Sequence, residues 1–88
     1  MKMLVLVAEG YKYSLNNITD AFEKYLPHFK VKTTDSGKEC LEMVKENSLG
    51  LVVLGLELAD GSGLDVMEQI RECSEVPVMF LSHNILYS

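Results

Sequence analysis

Apolar positions along this chain fall into two alternating patterns. Three short runs are apolar throughout: Met3 to Val7, Leu51 to Leu54, and Val78 to Leu81. A run without polar alternation suits a strand covered on both faces, as in a parallel sheet. Residues 29–34, Phe-Lys-Val-Lys-Thr-Thr, alternate instead. Two lysines on a short strand suit a sheet edge, where charge discourages pairing with another chain.

Between these runs, apolar residues recur every three or four positions. Ser14 is placed to cap a first helix, Leu15, Ile18, Phe22 and Tyr25 form its stripe, and Pro27 closes it. Ser36 and Glu39 stand three apart, as in a capping box, and open a second helix with Leu41 and Val44 facing inward and Gly50 just past its end. Ser62 is placed to cap a third helix with Leu64, Met67 and Ile70 as its stripe, and Glu75 and Pro77 separate it from the last strand. The predicted order is β-α-β-α-β-α-β. Strands alternating with single helices imply right-handed crossovers and a parallel sheet sandwiched between helices, an α/β fold.

In such sheets ligands bind beyond the carboxyl ends of the strands. The residues there are Ala8, Glu9 and Gly10 after the first strand, Gly55, Leu56 and Glu57 after the third, and Ser82 and His83 after the fourth. The first loop, Ala8-Glu-Gly-Tyr-Lys12, has one glycine and one acid and does not make a phosphate cradle. Gly61-Ser62-Gly63 follows the third strand rather than the first, and Val66 stands where a dinucleotide fingerprint needs its third glycine. This argues against a nucleotide enzyme and against a flavodoxin-like electron carrier. Ser82 and His83 are adjacent on an extended segment, so their side chains diverge, and no Ser-His-acid set emerges.

Composition narrows the class further. The chain has 88 residues, one small domain at most, and 48% of them are hydrophobic, enough to exclude disorder. It has no run of 18 apolar residues, hence no membrane span, and its start lacks a signal core with a cleavage site. Cytoplasmic location follows as the expectation. The net charge of −5 argues against direct contact with nucleic acid. The charge is uneven: residues 1–45 carry +1 and residues 46–88 carry −6. The acidic half is either a solvated surface or a face for a basic partner. Cys40 and Cys73 form no CxxC and have no histidine at metal spacing, so two reduced, packed thiols are expected.

With the strand ends assembled, residues 2–82 resemble the receiver domain of two-component response regulators. Three stretches carry the resemblance. Leu54-Gly-Leu-Glu-Leu-Ala-Asp-Gly-Ser-Gly63 is similar to the receiver's third strand, active loop and third helix; Asp35-Ser-Gly-Lys-Glu-Cys-Leu41 is similar to the start of its second helix; Pro77-Val-Met-Phe-Leu-Ser82 is similar to its fourth strand with the terminal hydroxyl. The resemblance implies a flavodoxin-like doubly wound sheet, here of four strands in the order 2-1-3-4 with three helices. It also implies phosphoryl transfer from a histidine kinase to an aspartate, with Mg²⁺ held by two acids after the first strand. An anionic acceptor attacking an anionic donor needs such a cation, and a hydroxyl or lysine opposite.

Transferred position by position, the resemblance implies a degenerate site. The acid pair falls on Ala8 and Glu9, the acceptor on Gly55 and the hydroxyl on Ser82, while the lysine has no counterpart. Glu57 falls where a backbone carbonyl would meet the metal, and Asp60 needs a rebuilt backbone to serve as acceptor. The expected pocket is therefore Glu9, Gly55 and Ser82, not phosphorylatable, with weak Mg²⁺ binding through Glu9 at most and no other cofactor. Glu9 and Ser82 are then plain polar surface.

The expected protein is not an enzyme but a signalling module in a phosphorelay context, working by protein–protein contact. The family's last strand and helix have no counterpart in residues 1–88, which leaves Val78–Leu81 as an apolar edge. A protein partner is expected to cover it, most simply a second copy in a homodimer, through Val78, Met79, Phe80, Leu81, Ile85, Leu86 and Tyr87. The alternative is an N-terminal fragment of a longer response regulator whose output lies in a further C-terminal segment.

Overall fold

Strand β1 (Met3–Ala8) sits inside the sheet, and its side chains alternate between two apolar layers. A computed structural model of the chain describes residues 3–81. Around β1 lie α1 (Lys12–Tyr25), β2 (Phe29–Thr34), α2 (Gly37–Glu46), β3 (Leu51–Gly55), a small hairpin of β4 (Glu57–Leu58) and β5 (Gly61–Ser62), α3 (Gly63–Cys73) and β6 (Val78–Leu81). The main sheet is parallel throughout, in the order β2-β1-β3-β6. This is the expected order, the fourth predicted strand being β6. The hairpin was not predicted: two strands of two residues are too short to leave a periodic signal.

Leu6, Ala8, Val52 and Leu54 face α2 and α3 and pack with Cys40, Val44, Val66 and Ile70. Val5, Val7 and Val53 face α1 and pack with Leu15, Ile18 and Phe22. Leu6, Leu54 and Ile70 are wholly buried, each stabilising the fold by about 1.5–3 kcal/mol through removal of apolar surface from water. Lys30 and Lys32 are exposed on β2, an edge of the described sheet, as the alternation predicts.

The helix starts test the predicted caps. Ser36 Oγ accepts from Glu39 N at 3.2 Å and Ser62 Oγ accepts from Leu64 N at 3.1 Å, each satisfying an amide the helix leaves without an internal partner. Ser14 does not cap: α1 begins three residues earlier than that cap implies, with Tyr11 as its N-cap, and Leu15 N donates to the Tyr11 carbonyl at 3.0 Å. Tyr25 is 69% exposed rather than part of the α1 stripe, and no α1 residue is fully buried.

The predicted stripe of α3 is shifted as well. Its buried residues are Gly63, Val66 and Ile70, while Leu64 is 57% exposed. Gly63 N donates to the Leu56 carbonyl at 2.9 Å, which seats the helix on the end of β3 and turns Leu64 one position round, toward solvent. Of the two thiols only Cys40 is packed, and burial pushes its pKa up to about 11; Cys73 is exposed.

Candidate functional site

The parallel register builds the site. Ala8 pairs with Leu54 in the β1–β3 ladder, so Glu9 and Gly55 stand next beyond it, on the face that carries Val7 and Val53. Glu9 N donates to the Thr34 carbonyl at 3.0 Å, tying the end of β1 to the end of β2. The Glu9 side chain is completely buried, not polar surface as the sequence suggests.

Its carboxylate lies over Gly55. A Cβ at position 55 would stand 2.5 Å from Glu9 Oε1, 3.0 Å from Cδ and 3.3 Å from Oε2. The position that resembles a phosphoacceptor therefore lacks a side chain, and the space for one is filled from β1. Glu9 Oε1 accepts from Gly10 N at 2.9 Å and from Tyr11 N at 3.4 Å. Amide donors of this kind allow a carboxylate to be buried.

Ala8 points the other way, into the apolar layer with Leu6 and Leu54. Of the pair of positions 8 and 9 to which the resemblance assigns the two acids, only Glu9 therefore lies beside Gly55. Gly10 follows, and a Cβ there would meet the Glu57 carbonyl oxygen at 2.6 Å.

The loop after β3 is already engaged. The Glu57 carbonyl, which the resemblance assigns to the metal, accepts from Gly10 N at 3.2 Å. The Glu57 carboxylate accepts from the Tyr11 hydroxyl at 2.9 Å. That hydrogen bond, followed by the negative charge of Glu57, holds the Tyr11 phenol above its ordinary pKa; slight burial and the charge of Glu9 act in the same direction. Sequence reasoning passed over Tyr11. The available signal was Glu57, an acid two residues past a strand end, for which a donor on the neighbouring loop was worth seeking.

Asp60 faces elsewhere. Its carboxylate accepts from Gly37 N at 2.6 Å, Ser36 Oγ at 2.8 Å and Lys38 N at 3.2 Å. These bonds, the Gly37 amide foremost, lower its pKa. Asp60 thereby closes the start of α2 from the hairpin loop and does not reach Gly55. An open cleft of about 300 Å³ beside it, between α2 and α3, is lined by Lys38, Leu41, Asp65 and Gln69, with neither Glu9 nor Gly55 in its wall.

These residues do not fit Mg²⁺. Glu9 offers a single buried carboxylate whose Oε1 accepts from two amides, Gly55 offers no ligand, and the Glu57 carbonyl accepts from the Gly10 amide. Among the described residues no three acidic, histidine or cysteine side chains are grouped to hold a metal ion. Ser82, the predicted hydroxyl of the pocket, lies outside the described residues, as do Ile85, Leu86 and Tyr87 of the predicted interface.

The family profile of the response regulator receiver domain matches residues 5–86. The chain belongs to the response regulator receiver family. It is 40% identical over 55 residues to the cell cycle transcriptional regulator CtrA of Caulobacter vibrioides, covering 61% of this chain and 24% of that protein. It is 34% identical over 68 residues to the uncharacterized transcriptional regulatory protein YrkP of Bacillus subtilis, covering 75% of this chain and 29% of that one. The receiver thus spans about a quarter of the length of these curated relatives.

Solved structures agree on the fold. A CheY-like receiver domain from Methylobacillus flagellatus superposes with a TM-score of 0.80 at 22% identity, covering all of this chain and 77% of that one. The response regulator TrrA, solved in complex with the histidine kinase ThkA, belongs to a structure matched with a TM-score of 0.83 at 23% identity, covering 99% of this chain and 73% of the matched chain. Within the described residues no helix is long and apolar enough to cross a membrane.

Proposed function

We propose that this receiver transmits its signal by protein contact without phosphorylation, and is neither an enzyme nor a phosphoryl acceptor. One observation carries the reading: the Glu9 carboxylate sits where the acceptor side chain would begin, 2.5 Å from the position of a Cβ at Gly55. Gly55 has no nucleophile, and the carboxylate and carbonyl that would share a cation are each bonded to backbone amides. Two-component signalling remains its setting, in the cytoplasm and without direct contact to nucleic acid, for which a net charge of −5 is unsuited.

The partner is a protein that covers β6. Met79 is 55% and Phe80 39% exposed; they pair with Val53 and Leu54 respectively, so they lie on opposite faces of the strand. A second copy of the chain is the simplest cover, with Val78, Leu81, Ile85, Leu86 and Tyr87 completing the interface.

The experiment is a two-dimensional amide NMR spectrum titrated with Mg²⁺ and then beryllofluoride, a phosphoryl mimic. The expected result is that Glu9, Gly55 and Ser82 do not move. Saturable shifts at low ligand would overturn the reading. Gly55→Asp is expected to remain unlabelled by a small phosphodonor, because the restored carboxylate meets Glu9.

A second reading, an N-terminal part of a longer response regulator, is favoured by the span of the relatives, about four times that of the match. Its test is whether a transcript from the native locus continues in frame past Ser88 into an output domain.

A further inference from the structure

We propose that Glu9 is a built-in occupant of the acceptor's space and that, with Gly10, Tyr11 and Glu57, it latches two loops into a single arrangement. Gly55 is then a socket matched to Glu9, and not only a lost acceptor. This deepens the phosphorylation-independent reading and rests on it: in place of a transient phosphoryl group, a permanent carboxylate from the neighbouring strand fixes the state of the module.

Three structural features support the latch. First, all three terminal atoms of the Glu9 side chain, Cδ, Oε1 and Oε2, lie within 3.3 Å of the point where a Cβ of residue 55 would stand. Real Cβ atoms do not show the shortest of these approaches, so a side chain at position 55 requires the Glu9 carboxylate, the far end of a flexible side chain, to leave this seat. Second, the carboxylate is wholly buried, and the Gly10 and Tyr11 amides hold it from one side. Third, the same two residues reach across the strand ends. Gly10 N is shared between Glu9 Oε1 and the Glu57 carbonyl, and the Tyr11 hydroxyl closes on the Glu57 carboxylate. Glu9 thus orders the β1–α1 connection, and that connection clamps the segment following β3.

The functional consequence is that partner affinity is set by folding alone. Mg²⁺ and phosphodonors leave it unchanged, whereas a side chain introduced at position 55 changes it by expelling Glu9 and releasing both loops.

A double-mutant cycle tests the socket without any phosphodonor. Gly55→Ala is measured in the wild-type chain and in a Glu9→Ala background by urea unfolding. In the wild-type chain it is expected to raise the unfolding equilibrium constant by about tenfold. In the Glu9→Ala background the methyl enters vacated space, and the change is expected to stay under about twofold. Gly55→Ala alone should also move the amide resonances of Gly10 and Tyr11. Equal costs in the two backgrounds, or unmoved Gly10 and Tyr11 amides, would overturn the proposal. If Gly55→Ala does not fold, rescue by Glu9→Ala supports the socket, and failure of the double variant to fold overturns it. Labelling of the wild-type chain by a phosphodonor would instead overturn the phosphorylation-independent reading, a result the unfolding cycle does not share.

Discussion

The Tyr11 hydroxyl donates to Glu57 Oε1 at 2.9 Å and so joins two loops that lie 46 residues apart in sequence. The bond exists only while the phenol keeps its proton. Because the folded state raises the Tyr11 pKa, it holds that proton more tightly than the unfolded chain does. The stabilisation is fully present below about pH 10, the ordinary tyrosine value, and is lost as pH rises through the raised one. Ultraviolet titration of the wild-type chain minus Tyr11→Phe should reveal a phenol that ionises later than usual. Glu57→Gln should return it toward normal. The bond is exposed to solvent, so Tyr11→Phe should lower Tm by no more than a few degrees.

Asp60 makes the opposite linkage. Its pKa is depressed, first by the Gly37 amide and then by the Ser36 hydroxyl and the Lys38 amide. Its contribution is present above the ordinary aspartate value of about 4 and is lost as pH falls through the lowered one. Asp60→Asn should therefore flatten part of the acid limb of stability against pH and change little in alkali. Thermal melts of both proteins across the acid range decide this. Ser36→Ala, which removes the cap of α2 as well as a partner of Asp60, should cost about 1 kcal/mol in urea unfolding.

Two apolar residues of α3 should behave differently despite similar chemistry. Ile70 is wholly buried between the helix and the sheet, and Ile70→Ala should cost about 2–5 kcal/mol through lost transfer energy and a cavity. Leu64 is more than half exposed, and Leu64→Ala should fall within about 0.5 kcal/mol of wild type. Urea unfolding of the two variants side by side measures the contrast.

Met79 and Phe80 test the edge. Met79→Lys and Phe80→Lys each place charge on exposed apolar positions of β6 and are expected to turn a dimer into a monomer, as read by sedimentation velocity. Met79→Lys should leave the core intact, since Met79 is the more exposed of the two. A wild-type chain that sediments as a monomer would remove the second copy as partner.

The sheet was legible because each strand is an apolar run or a clean alternation bounded by turn residues. Strand order came with the family resemblance, and the caps at Ser36 and Ser62 were local enough to read directly. The shift in α3 was not legible: Leu64 and Val66 are both apolar, and only the seating of Gly63 against Leu56 decides which of them turns inward. The start of α1 was misread because Tyr11 carries no side-chain cap and Ser14 does resemble one. At the site, Gly55 was legible in the sequence as a residue without a side chain at the position where the resemblance implies an acceptor. That Glu9 fills its place depends on register between distant strands and on burial, which no local pattern encodes.

The packing of Glu9 against Gly55 also has a consequence for lineage. On the proposed latch, an aspartate introduced at position 55 enters space that the Glu9 carboxylate holds, and it serves as an acceptor only once Glu9 moves away. Shortening Glu9 first removes the side chain to which the Gly10 and Tyr11 amides donate and returns no reactive group to the site. On that proposal each single step has a cost, the first in displacing Glu9 and the second in leaving the Gly10 and Tyr11 amides without its carboxylate. On that proposal the pair acts as a ratchet, since a working acceptor then takes two changes, one at position 55 and one at position 9.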